Sequence, residues 1–196
     1  VFEAASQAGG MLRLGIPEYR LPRAVLDRDI DRIKAQGCGV EIRCGTRVGK
    51  DPGWKELLST FNVVCVATGA HTSRALGVKG EHLPGVMPGL EFLRDINSGA
   101  RPNLGQNVVV VGGGNTAMDC ARSAIRLGTA VTVAYRRTRD EMPAIDAEVD
   151  DAQHEGARMS FLANPVEFVE TNGRVSGVIC ERMELGEPDA SGRRRP

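Results

Sequence analysis

Residues 107–128, NVVVVGGGNTAMDCARSAIRLG, restrict what this chain can fold into more than any other stretch. A β-branched run ends at Gly112, and a pattern with small residues at Ala117, Ala121 and Ala124 follows at helical spacing. The joint between them reads Gly112-x-Gly114-x-x-Ala117. Gly112 permits a tight turn out of a strand, Gly114 lets backbone approach a bound diphosphate, and Ala117 keeps the helix close to the strand. Amide groups at the helix start, near Asn115 and Thr116, would face the anion with the helix dipole behind them. The expected site is therefore a strand–turn–helix corner made by Gly112, Gly113, Gly114, Asn115, Thr116 and Ala117.

The next strand, AVTVAYRR, decides which dinucleotide fits. An acid at its end would accept from a ribose 2′-hydroxyl, as in NAD-binding units. This chain places Arg136 and Arg137 there instead. Two guanidinium groups suit a 2′-phosphate, so NADP(H) is expected over NAD(H). Tyr135 and Arg136 are expected to flank the adenine. Asp119 reads equally as a cofactor contact or as a polar residue on an exposed helix face.

Elsewhere the pattern alternates between helix and strand. Pro22–Ala35 has apolar residues at Val25, Leu26, Ile30 and Ile33, with Gly37 closing the helix. CGVEIRCG reads as a short strand, Trp54–Ser59 as a short helix, and Asn62–Gly69 as a strand buried on both faces. Gly77–Gly105 is rich in Gly and Pro and reads as a connector holding a short helix near Leu90–Asn97. After AVTVAYRR come a helix over Ala144–Glu155 and the strands RMSFLA and VEFVE. A hairpin turn at Asn172-Gly173 leads into RVSGVICERMEL. Two domains are expected, residues 1–100 and 101–196. Arg193, Arg194 and Arg195 read as a frayed, solvated tail.

Composition removes several classes of function. Apolar residues make up 41%, charged residues 26%, and the net charge is zero, so nothing draws the chain toward nucleic acid or a membrane surface. No apolar run is long enough to span a bilayer, and no signal-peptide pattern opens the chain. None of the five cysteines forms a C-x-x-C pair, which excludes an iron–sulfur or zinc site in these residues. Cys65 and Cys120 read as buried thiols. Cys38 and Cys44 are the one close pair, and a redox disulfide between them is not expected. This scattered set fits the cytoplasm. His71, His82 and His154 lack ligand partners at metal spacing, and Asp146, Glu148, Asp150 and Asp151 read as a solvated face. No catalytic acid, base or nucleophile is assigned, because in this kind of site the cofactor ring carries the chemistry. A nucleotide-binding regulatory module is the alternative of a different class. A thiol–disulfide reductase would need a reactive cysteine pair that these residues do not place.

Taken in order, GGMLRLGIPEYRLP, CVATGA, VVVVGGGNTAMDCARSAIRLG and VTVAYRRTRDEMPA resemble the small subunit of NADPH-dependent glutamate synthase. They are also similar to the flavin-containing half of dihydropyrimidine dehydrogenase. The resemblance implies an α/β chain with two related Rossmann-like dinucleotide-binding folds, both incomplete here, the NADPH fold inserted into the FAD fold. It implies electron flow from NADPH to FAD and on to iron–sulfur clusters of a partner subunit, domain or ferredoxin. It places Glu3 at the FAD ribose, Gly9, Gly10 and Met11 in the FAD loop, and Arg20 at the flavin nucleotide. Val48 falls at the adenine end, and Thr68 and Gly69 close the flavin-side strand. Its NADPH contacts fall on Gly114, Asn115, Thr116, Ala117, Arg136 and Arg137. The resemblance also implies an excised fragment, lacking the first FAD glycine fingerprint, which should hold FAD weakly.

Overall fold

The computed structural model describes every residue except Cys38 and Ser191, so the question of a Cys38–Cys44 pair lies outside the described residues. The chain divides into two units, Val1–His71 and Thr72–Pro196. This division falls earlier than the boundary expected near residue 100. Helix α4 (Gly89–Asn97) explains the difference, because its Phe92 and Leu93 are buried in the core of the second unit. Gly and Pro content marked those residues as a connector, whereas two large apolar side chains tie them to a core.

The first unit carries α1 (Gly10–Leu14), α2 (Arg23–Ala35) and α3 (Trp54–Thr60). Pro22 stands just before α2, where its missing N–H is not needed. Leu26 is the residue α2 buries. The strand expected in CGVEIRCG is reduced to a single parallel bridge between Phe2 and Arg43, with Glu3 N donating to Arg43 O at 2.9 Å. The strand expected over Asn62–Gly69 does not form: the segment is irregular, Val63 is 82% exposed, and Cys65 is exposed rather than buried. An apolar run becomes a buried strand only where neighbours complete its ladder, and no described segment of this unit pairs with it.

The second unit is built around a parallel sheet of β1 (Asn107–Val111), β2 (Ala130–Tyr135) and β3 (Arg158–Phe161), in the order β1-β2-β3. Helix α5 (Asn115–Arg126) joins the first two strands, and α6 (Asp146–His154) precedes the third. The register pairs Val111 with Ala134 and Tyr135 with Phe161, so all three strands end at one edge. Val131 and Val133 of β2 are buried with Met118, Ala121 and Ala124 of α5 and with Val149 and Ala152 of α6. Small residues on the helices allow this close approach. Burying each valine or methionine contributes roughly 1.5–3 kcal/mol. Beyond β3, Leu162 takes φ 55° and breaks the chain away into the antiparallel hairpin β4 (Ala163–Thr171) and β5 (Arg174–Arg182). Asn172 (φ 54°) and Gly173 (φ 77°) form the hairpin turn the sequence signalled.

Two expectations about charge are corrected. The acidic residues of α6 are not a plain solvated face, because α5 presents Arg122 to them with a side chain only 8% exposed. Its Nη1 lies 2.5 Å from Glu148 Oε2 and 3.2 Å from Asp151 Oδ2, and its Nη2 lies 2.8 Å from Glu155 Oε1. Asp150 pairs separately with Arg139 at 2.8 Å. No described His, Cys, Asp or Glu cluster could hold a metal ion. The C-terminal basic run is not frayed either. Arg195 N donates to Glu187 O at 3.0 Å, and the Arg194 guanidinium donates to the carbonyls of Leu185 and Gly186.

The Glu155 carboxylate shows how strongly this network is charged. The hydrogen bond from Arg126 is the main cause, with Arg122 adding to it, and together they bring the carboxylate down to about 2. A folded-state value below the unfolded one contributes stability above the unfolded value of 4.5, and that stability is lost as pH falls toward 2. Glu155 is 26% exposed, so solvent screening reduces the contribution to about 1–2 kcal/mol. Glu155→Gln should therefore be less stable than wild type by that amount at pH 7. The gap should close as thermal melts are repeated toward pH 2, and a gap independent of pH would refute the charged pairing.

Candidate dinucleotide-binding site

The glycine corner forms where it was expected. Gly112 takes φ +132°, a conformation open to glycine at little cost, and its N–H donates to Ala134 O at 3.0 Å. Gly114 then caps α5 in extended conformation with no side-chain cap. Ala117 and Met118 donate back to Gly114 O at 2.9 and 3.2 Å. Among the described residues no protein acceptor takes the N–H groups of Gly114, Asn115 or Thr116. Helix α5 thus begins with open amides at the positive end of its dipole, which suits a phosphate.

The geometry adds what spacing did not show. A Cβ on Gly113 would lie 2.6–2.9 Å from three ring atoms of Tyr135, so this glycine is required by close packing. Tyr135 is buried and its hydroxyl donates to Glu141 O at 2.7 Å, so the expectation that it flanks the adenine is corrected. A loop of Met142–Ile145 crosses the corner. Ala144 N donates to Gly113 O at 3.1 Å, and Ile145 N donates to Asn115 Oδ1 at 2.9 Å. The Asn115 side chain is engaged by that loop, which leaves its backbone N–H as the group facing outward chemistry. Just before the loop, Thr138 and Glu141 form a capping box around the 3-10 turn Arg139–Glu141. The T-x-x-E spacing of TRDE is a sequence signal that could have found it. Asp119 is 4% exposed, which overturns the exposed-face reading.

The two arginines after β2 part company. Arg136 is exposed at the strand's end. Arg137 is 6% exposed and its Nη2 donates to Asp189 Oδ2 at 2.9 Å. Both lie in a bend just beyond β2, where spacing alone could not say which of the two would be open.

In the first unit, Glu3 sits beside the turn that leads to Val48. Thr46 N donates to Glu3 O at 2.8 Å, and the Glu3 carboxylate accepts from Ala5 N at 2.8 Å. Val48 is exposed. Gly10 and Met11 open α1, after Gly9 at φ 127°. Arg20 follows the turn in which its N–H donates to Pro17 O at 3.0 Å. Thr68 and Gly69 lie in the exposed, unpaired segment, so the strand they were expected to close is absent.

A parallel sheet whose first strand turns through three glycines into an open helix start is a Rossmann-type dinucleotide-binding arrangement. The chain belongs to the pyridine nucleotide-disulphide oxidoreductase family, whose model matches residues 3–184. It is 52% identical over 200 residues to the NADP(+)-dependent formate dehydrogenase subunit beta of Moorella thermoacetica, covering 100% of this chain and 28% of that protein. It is 39% identical over 213 residues to the glutamate synthase (NADPH) small chain of Escherichia coli (strain K12), covering 100% of this chain and 44% of that one. The resemblance read from the sequence is borne out, and the chain spans less than half the length of these relatives. Among solved structures, Mycobacterium tuberculosis FprA in complex with NADPH matches 99% of this chain and 58% of its own, with TM-score 0.81 and 20% identity. That likeness is one of fold. No described helix is long and apolar enough to cross a membrane.

Proposed function

We propose that the second unit binds NADP(H), and that the intact protein passes reducing equivalents from it to FAD and on to iron–sulfur clusters. The observation that carries this reading is the open start of α5. The amides of Gly114, Asn115 and Thr116 would hold the diphosphate, Gly112 and Gly113 shape the approach, and Ala117 seats the helix. Arg136 would take the 2′-phosphate by charge-assisted hydrogen bonds. The names of relatives agree, one being an NADP(+)-dependent formate dehydrogenase subunit and another an NADPH glutamate synthase chain.

On the flavin side the residues fit in part. Glu3, Gly10, Met11, Arg20 and Val48 lie on formed turns and would hold the nucleotide, while Thr68 and Gly69 would contribute once their segment is paired. FAD, when bound, supplies the two-electron acceptor for the reduced nicotinamide. The chain's own work is to bind and orient. The relatives are named as beta or small subunits, which supports a partner subunit that receives the electrons. We place the protein in the cytoplasm, where a reducing environment keeps thiols such as Cys44 and Cys65 free.

Arg136→Ala tests the reading directly. The loss of one charge-assisted bond, about 1.5–3 kcal/mol, should weaken NADPH binding by roughly 10–100-fold. NADH binding should stay within about twofold, since it offers that side chain no phosphate. Titration with each nucleotide measures both, and equal losses would refute the 2′-phosphate assignment.

A further inference from the structure

Arg137 is held in an unusual way for a residue next to a nucleotide site. Its guanidinium is almost fully buried, one edge is paired with Asp189, and its Nε is buried with no acceptor among the described residues. An unsatisfied buried donor on a charged group is costly and marks a place where an acceptor belongs. Asp189 is itself held by two short antiparallel segments. Its N–H donates to Arg193 O at 2.7 Å, Gly186 N donates to Arg195 O at 2.8 Å, and Pro188 bridges Arg194. The folded-back basic run therefore serves to present one carboxylate to Arg137.

We propose that Asp189 is a specificity-determining residue. It occupies the edge of Arg137 that a 2′-phosphate held first by Arg136 would also take, so NADP(H) must displace it and NAD(H) leaves it in place. This rests on the reading that the end of β2 meets the 2′-phosphate. A carboxylate and a phosphate dianion repel each other and cannot share one guanidinium edge. The phosphate has three oxygens and can satisfy Nη2 and the orphaned Nε together, which Asp189 does not do. The cost of releasing Asp189 subtracts from NADP(H) affinity. Removing its charge should return that affinity.

The test titrates the intact protein with 2′,5′-ADP, which carries the 2′-phosphate, and with 5′-ADP, which does not. Asp189→Asn keeps the shape and removes the charge. It should bind 2′,5′-ADP about fivefold or more tightly than wild type, with 5′-ADP unchanged within about twofold. Adding Arg137→Ala to that variant should abolish the gain. Unchanged or weaker 2′,5′-ADP binding by a variant that melts like wild type would overturn the proposal. Should Asp189→Asn fail to fold, trypsin cleavage of wild type at Arg193–Arg195 supplies the second measurement. NADP⁺ should speed it relative to NAD⁺, and equal rates would overturn the proposal. A wild type that shows no preference for 2′,5′-ADP over 5′-ADP would instead remove the underlying NADP(H) reading.

Discussion

Arg122→Met is expected to lower the stability of this chain by about 3–5 kcal/mol, the range for breaking a buried ion pair from one side. Arg122 of α5 meets three carboxylates from the other side of the interface, Glu148, Asp151 and Glu155. Methionine restores the packing volume of the stem but leaves those carboxylates facing one another. The Glu148 side chain is only 17% exposed, so water cannot take over the role of the guanidinium. Arg126 touches Glu155 as well, yet its own side chain is 42% exposed, and Arg126→Met should cost about 1 kcal/mol or less. Urea denaturation of the two variants measures the difference. The deficit of Arg122→Met should also shrink at acid pH, because protonating the carboxylates removes their repulsion. A loss below about 1 kcal/mol at pH 7 would mean that the network is not what joins α5 to α6.

The second large effect belongs to Gly113→Ala. The added methyl would stand 2.6 Å from the Tyr135 ring, closer than carbon atoms pack, so either backbone or ring must move. The ring is held by its hydroxyl bond to Glu141 O, and the backbone of Gly113 is held by the bond from Ala144 N. Overpacking of this kind costs roughly 1–3 kcal/mol, and it falls on the turn that aims the amides of α5. NADPH affinity should drop by about tenfold or more along with the melting temperature. Gly114→Ala gives the contrast. Its Cβ would meet Pro143 Cγ at an ordinary 3.9 Å, so stability should hold while nucleotide binding weakens. If both variants lost stability alike and bound NADPH alike, the separate roles given to these two glycines would be wrong.

The contrast between neighbouring glycines shows where sequence reading stops. Gly112 and Gly114 were legible because a turn and a close approach to phosphate are properties of the local backbone. The reason for Gly113 was not legible, because it depends on which side chain of a neighbouring strand lies beneath it. The same holds for Arg136 and Arg137, adjacent and chemically identical in sequence. One is exposed, and the other is buried against a carboxylate that lies 52 residues further along the chain.

Asn62–Gly69 marks a second limit. Its β-branched composition expresses a preference for strand, but a strand is a property of at least two segments, and the described chain pairs nothing with it. α4 marks the converse, since a stretch that composition labelled a linker is fastened by Phe92 and Leu93.

Sequence alone determined the strand–glycine–helix corner, the order of β1, α5 and β2, the hairpin at Asn172-Gly173 and the family resemblance. Each of these rests on periodicity or backbone geometry within a few residues. Tertiary structure decided that α6 meets Arg122 rather than water, that Tyr135 lies under Gly113, and that Asp189 reaches Arg137. Those are contacts between segments far apart in the chain, and burial and charge pairing at such contacts depend on the packed arrangement.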